Sequence, residues 1–421
     1  MLSDASGPGG FVNPETKART GTHTAFAEKD PDTERGQPPQ TDHSPPNVDK
    51  ENTLADTTNV SRGISTLRPR RSDVGTILAH HQSVGDAESL ASIDRPPSEE
   101  EKLPPSKIYK PLSFPVLAML MPASIFGVLA RLGIQAITTY DGREIFPLAW
   151  IQGMGCLVMG FALGLKEPIG RFYGPLYTAL TTGFCGSLTT FSGWQLDVFE
   201  SWINGTASHR DWLRDAIDGL GKTIFTFAIS LSAVTFGAHL SRLFLPYVPT
   251  LPPPSRPIRY AISAVSVLTY AAAYPVYFRL SPRFRHEATA ALLFSFPGTL
   301  SRYLLSVFLN PRLRLFPLGT FTANMVGTAL LATFQVLRSI QNPGPLSMNA
   351  CDVLQGLADG YCGCLTTVST FAAEVDALPP RPAWLYAVLS WLVAQLLIAV
   401  VLGPSLGVGH VSRQITCQFK H

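Results

Sequence analysis

Acidic side chains run out early in this sequence. Of its 30 Asp and Glu residues, 17 lie in residues 1–110, leaving 13 across the remaining 311. A water-soluble domain of that size carries far more charge than this. Cysteine is also scarce. Cys156, Cys185, Cys351, Cys362, Cys364 and Cys417 follow no disulfide-framework spacing, and the C-x-C at 362–364 has no His or second Cys pair at zinc-like distance. All six are expected to be small buried residues. The opening MLSDASGPGG lacks the basic start and apolar run of a signal peptide, so membrane insertion is expected from internal segments. No G-x-x-x-x-G-K-[ST] phosphate loop is present, which argues against ATP-driven work. His239 and the scattered acids form no nucleophile–base pattern, and no enzyme is expected.

What is present divides at residue 110. Residues 1–110 are rich in Pro, Ser, Thr, Gly, Asp and Glu, with few aromatics and no sustained apolar period. Such a stretch cannot bury enough surface to offset its ordering entropy, so a disordered tail is expected. The RPRR run at 68–71 reads as a solvated charge cluster, and no nucleic-acid partner is expected.

From residue 111 the chain reads as an all-α polytopic membrane protein. Nine apolar segments have spanning length, at about 112–137, 147–165, 174–198, 222–245, 258–278, 287–309, 317–337, 352–375 and 383–407. They repeat. SIFGVLARLG (124–133) matches SFPGTLSRYL (295–304), each carrying G-x-x-x-Arg, at Arg131 and Arg302. QGMGCLVMG (152–160) parallels NMVGTALLA (324–332), and TTGFCGSLTTFSGW (181–194) matches ADGYCGCLTTVSTF (358–371). The offset grows only from 171 to 177 residues, within the reach of loop-length changes. Two four-span units follow, at 111–245 and 282–408, with a linker at 246–281 and a short C-terminal tail at 409–421. The linker holds one further span. Four crossings alone would place both copies the same way up; a fifth turns the second over, the inverted-repeat device of transport proteins.

The third span of each copy is the weakest by hydropathy and carries glycines and hydroxyls at membrane depth. Glycine permits close backbone approach and a broken helix, and broken backbone is tolerated in a membrane only where protein or a cavity surrounds it. Lys102, Lys107 and Lys110 precede the first span and place the N-terminus in the cytoplasm, with the C-terminus outside. Asn204-Gly205-Thr206 would then be an extracytoplasmic glycosylation sequon.

The doubled G-[FY]-C-G-x-L-T-T-x-S-x-[FW], with its upstream Asn/Gln span and G-x-x-x-Arg, resembles the fluoride channel/exporter family, in the fused two-repeat form of fungi and plants. The resemblance covers about residues 111–408. It implies a passive fluoride channel of the plasma membrane, active as a monomer that is an internal pseudo-dimer within the lipid bilayer. It also implies two potential pores and a structural sodium ion on the carbonyls of Gly186, Thr189, Gly363 and Thr366. Fluoride is tightly hydrated, so a pore needs donors and positive edges: the Asn324 amide, the Ser369 and Thr370 hydroxyls, and phenylalanine rings. Each copy is incomplete. The first has Phe191 but Trp194 and Gln152; the second has Asn324 and Phe371 but Val368. If each pore draws its aromatics from opposite copies, Phe191, Asn324 and Phe371 complete one pore. Gln152, Trp194, Val368 and Ser192 then fall in a vestigial one. Asp197 and Glu374 follow at one helical phase as pore-mouth candidates or ordinary helix-end acids. Arg131 and Arg302 either gather anions at a vestibule or make structural bonds. A coupled secondary transporter is the alternative from another class, and a non-transporting scaffold or sensor is a second.

Overall fold

The computed structural model describes residues 109–138, 146, 148–205, 211–279, 289–340, 346–408, 412 and 415–417. The 1–108 tail, the RPRR run, Lys102, Lys107, Thr206 of the sequon and most of the C-terminal tail lie outside the described residues.

Helices occupy all nine apolar segments. They are α1 (Phe114–Thr138), α2 (Ala149–Gly164), α3 (Lys166–Thr178), α4 (Phe191–Trp202), α5 (Trp212–Phe244), α6 (Arg256–Arg279), α7 (Ala290–Leu309), α8 (Leu318–Arg338), α9 (Met348–Gly356), α10 (Ser369–Ala377) and α11 (Pro380–Gly407). Among the described residues, α1, α5, α6, α7, α8 and α11 are each long and apolar enough to cross a membrane unaided. The shorter α2 meets the α3–α4 segment at a 106° bend. The chain is therefore an all-α, multi-pass membrane protein. Phe236 on α5, Tyr260 and Leu268 on α6, and Leu396 and Val400 on α11 are exposed large apolar side chains, the kind of surface a bilayer covers.

Helix order repeats: α1, α2, α3–α4, α5, then the lone α6, then α7, α8, α9–α10, α11. The two sets are upside down with respect to each other, as the α1–α7 packing shows. Val116 and Leu120, early in α1, pack against Tyr303 and Val307, late in α7. Ser124 meets Ser295, hydroxyl to hydroxyl, at 3.3 Å. Val128, late in α1, joins Ala291 at the start of α7. The two helices run antiparallel, with corresponding serines touching where a two-fold axis would cross. This self-complementary contact is what a two-fold interface requires. The single extra crossing, α6, supplies the inversion.

One expectation is corrected. Cys351, at the start of α9, and Cys417, in the C-terminal tail, form a disulfide with Cα atoms 5.8 Å apart. Cys156, Cys185, Cys362 and Cys364 are buried free thiols, as expected. The bridged pair is 66 residues apart in sequence. It meets only because the tail folds back: Ser412 N–H donates to the Ser339 carbonyl, and Thr416 N–H to that of Arg338.

Candidate functional site

Each third span is broken in the same way. A π-helical turn, Ala179–Cys185 in the first copy and Leu357–Cys362 in the second, feeds one short helical turn ending at Leu188 or Leu365. The backbone then extends, with φ/ψ of −87°/154° at Thr189 and −94°/152° at Thr366, before α4 or α10 begins. Local π geometry of this kind recurs at functional sites.

An amide clamp holds each break open. Gln152 Nε2 donates to the Thr190 carbonyl at 2.7 Å, and Thr190 N–H donates to Gln152 Oε1 at 3.3 Å. Asn324 repeats this on the second copy: its Nδ2 donates to the Thr367 carbonyl at 3.3 Å and its Oδ1 accepts from Thr367 N–H at 2.9 Å. Both amides are buried and both hold backbone, so the Gln/Asn difference conserves one structural action.

The breaks are also laced to each other. Thr189 Oγ1 accepts from Ser369 N–H at 3.1 Å and Val368 N–H at 3.3 Å, so a first-copy hydroxyl caps the second copy's α10. Reciprocally, Thr366 Oγ1 accepts from Ser192 N–H at 3.1 Å and lies 2.9 Å from Ser192 Oγ. Hydroxyl capping of this kind is worth about 1 kcal/mol per helix end. Here it crosses between halves and ties their break positions together.

These substitutes redirect the amides that an unbroken helix would send back four residues. Thr190 N–H and Thr367 N–H go to the clamps, while Gly193 N–H bonds Thr190 Oγ1 and Thr370 N–H bonds Thr367 Oγ1. Among the carbonyls that lose their helical donor in this way are those of Gly186, Gly363, Thr189 and Thr366, together with those of Leu188 and Leu365, whose helical donors Ser192 N–H and Ser369 N–H go to threonine hydroxyls instead. They are buried oxygens from two facing breaks, a donor set suited to a hard cation. No group of three or more His, Cys, Asp or Glu side chains among the described residues could hold a metal instead.

Both arginines reach across the pseudo-dimer. Arg302 is fully buried, with Nε donating to the Cys364 carbonyl at 2.9 Å and Nη2 to that of Thr182 at 2.6 Å. Its guanidinium covers Gly186, where any Cβ would collide with it. Arg131 covers Gly363 in the same way and donates to the Asp359 carbonyl. Glycine is required at both positions for this approach.

Phe191 and Phe371 come from opposite copies and meet edge to face, centroids 5.4 Å apart and planes at 66°. Trp194 also touches Phe191, at 5.6 Å, and Val368 packs in the same buried cluster. The Trp194 indole N–H is engaged with the Lys222 carbonyl at 3.3 Å. Ser369 Oγ joins Thr189 and Thr367, whereas Thr370 Oγ1 is buried with no hydrogen-bond partner among the described residues.

The two acids have different settings. Glu374 is fully buried: Oε1 accepts from Thr320 Oγ1 at 2.6 Å and Asn310 Nδ2 at 3.4 Å, and Oε2 from the Tyr386 hydroxyl at 2.8 Å. Asp197 pairs with Lys222 Nζ at 2.8 Å. A cavity of about 260 Å³ gathers Arg131, Asp197, Ser192 and Gly363; Arg302 and Glu374 are not among its walls.

Sequence reasoning passed over three residues here. Tyr386 packs at a tilt against Phe371, with centroids 5.1 Å apart and planes at 54°, while bonding Glu374. Ser390, one turn further along α11, has a buried hydroxyl with no partner among the described residues. Lys222 carried a readable signal, as an ionisable residue at the edge of an apolar run. Tyr386 and Ser390 lay in an ordinary apolar segment and carried none.

The family model described as CrcB-like protein, Camphor Resistance (CrcB), matches twice, over residues 118–238 and 289–405. The chain belongs to this family. Both matched stretches of this CrcB-like chain coincide with the two inverted helix sets. The Neurospora crassa protein named fluoride export protein 1 is 34% identical over 68% of this chain and 66% of its own length. Fluoride export protein 1 of Candida albicans is 32% identical over 69% of this chain and 80% of its own. A bacterial relative, the Escherichia coli fluoride-specific ion channel FluC, is 37% identical over 23% of this chain and 72% of its own. No solved structure matches the chain.

Proposed function

We propose that this chain is a passive, fluoride-selective export channel of the plasma membrane that works as a single polypeptide. One observation carries the reading: two antiparallel copies bring their broken helices together around polar groups, with Phe191 and Phe371 edge to face from opposite copies. Relatives named for fluoride export and fluoride channels agree with it.

A fluoride ion entering the protein must exchange water for donors. Hydroxyls and positive ring edges offer this without the trapping that a fixed cation imposes. Thr370 Oγ1 is an available donor, and Ser369 stands beside it within a hydroxyl network. Asn324 acts one step away, by setting the Thr367 peptide. Phe191, Phe371, Ser369 and Thr370 would line the conducting pore. The pore that pairs Trp194 with Val368, served by Gln152 and Ser192, would be vestigial, in keeping with an indole N–H already committed to Lys222. Carbonyls of Gly186, Thr189, Gly363 and Thr366 would hold a structural sodium ion, which supplies a fixed positive charge between the copies. Arg131 and Arg302 stiffen the breaks by bonding carbonyls of the opposite copy.

The disulfide supports the proposed orientation. Disulfides persist outside the reducing cytosol, so the face carrying Cys351 and Cys417 is extracytoplasmic. The C-terminus then lies outside and the N-terminus inside, on the side that Lys110 marks.

Acidified cells take up fluoride as its neutral acid, which dissociates in the more alkaline cytosol and is trapped. An inside-negative potential drives the anion outward by about 2.3 kcal/mol per charge per 100 mV, so a selective pore suffices. Liposomes loaded with fluoride and containing the purified protein should empty at channel rates without a proton gradient. Phe371→Ile should abolish that flux. Slow, gradient-dependent efflux would instead indicate a coupled transporter, and flux indifferent to Phe371→Ile would remove the proposed pore. A cell lacking this protein and its paralogues should become fluoride-sensitive, most severely in acidic medium.

A further inference from the structure

The cavity beside Arg131 reaches from the break to the C-terminal tail. Thr190, Ser192 and Gly363 line it at the breaks, Arg338 stands at the end of α8, and Ile415 comes from the tail. Hydrogen bonds stitch the tail to the last residue of α8 and to the segment after it. Ser412 N–H donates to the Ser339 carbonyl at 2.8 Å, and the N–H groups of Thr416 and Cys417 to that of Arg338 at 3.0 and 3.2 Å. The Thr416 hydroxyl donates to the Ile340 carbonyl at 2.8 Å. The Cys351–Cys417 bridge then fixes the strap to the start of α9.

We propose that Ile415 is a wall of the outer vestibule and that Cys417 is its positioning residue, holding Ile415 over the cavity and restricting access to the helix break. Nothing in the conduction path needs a disulfide for its chemistry; the bridge acts on geometry. Segments secured by a few hydrogen bonds sit at the low end of local stability. A covalent link two residues beyond Ile415 limits how far the strap can swing. With the bridge cut, Ile415 departs intermittently and water and solutes reach Ser192 and Gly363 from the outer face. The inference rests on the outward orientation proposed above, because the bridge forms only in an oxidising space.

The experiment reports access directly. Gln335, a buried cavity residue, is replaced by cysteine and labelled with a membrane-impermeant methanethiosulfonate in the full-length protein. The rate should rise at least tenfold when Cys351→Ser and Cys417→Ser are introduced together. Ile415→Ala, with the bridge intact, should raise it too, and serves if the double variant does not fold. The chain without the reporter sets the background from the four buried thiols. Rates equal within twofold in both variants would overturn the proposal. So would two additional thiols detected in the denatured, unreduced wild type, which would also overturn the outward orientation. Fluoride efflux, measured separately, reports on the channel reading and is untouched by either result.

Discussion

Replacing Asn324 by alanine separates a clamp from a generic polar residue. The side chain makes two bonds to one peptide: Thr367 N–H into Oδ1 at 2.9 Å and Nδ2 into the Thr367 carbonyl at 3.3 Å. Asn324 and Thr367 are both buried, so no water replaces what is lost. Each orphaned buried group costs ~1–3 kcal/mol, giving ~2–6 kcal/mol for the pair. Hydrogen bonds between membrane helices average nearer 0.6 kcal/mol, so the lower end is expected. A rise of about 1.4 kcal/mol in the barrier is a tenfold change in rate. Asn324→Ala should therefore cut fluoride efflux from liposomes at least tenfold. Asn324→Gln is the discriminating partner, because the first copy already builds the same clamp with Gln152, at 2.7 and 3.3 Å. Its flux should stay within about threefold of wild type, on the order of 0.6 kcal/mol. The reasoning fails if alanine leaves flux unchanged, or if glutamine is as damaging as alanine while both proteins remain folded.

Three further outcomes follow from particular contacts. Trp194→Phe and Val368→Ala should each leave flux within about twofold of wild type, less than 0.5 kcal/mol in the barrier, whereas Phe191→Ile should abolish it; equal losses at all three would contradict a single conducting pore. Gly363→Ala places a Cβ against the Arg131 guanidinium and should sharply lower the yield of monodisperse protein, while Gly221→Ala, where a Cβ meets nothing within 4 Å, should match wild type in the same chromatographic assay. Exchanging sodium for a large organic cation on both faces should slow efflux and lower the melting temperature in detergent; identical melting curves would argue against a cation held by the carbonyls of Gly186, Thr189, Gly363 and Thr366.

Much of the architecture can be read from the one-dimensional pattern, because membrane insertion is governed by local composition. Apolar length announces the spans. A motif that recurs at nearly constant offset announces duplication, and one surplus span between the copies implies inversion. The broken helices become legible once the family resemblance is added, since glycines at membrane depth serve close helix packing as readily as a break. The bonds that give those residues their roles are a different matter. Thr189 caps a helix that begins 180 residues later, and Arg302 covers a glycine of the opposite copy. Neither pairing leaves a mark on local periodicity, because each depends on how two separately inserted halves come together. The same holds for Cys351 and Cys417: side-chain type made both look like buried thiols, and the path of the tail made them a bridge. Composition sets which segments enter the lipid, whereas hydrogen-bond geometry between the halves sets what each polar group does once there.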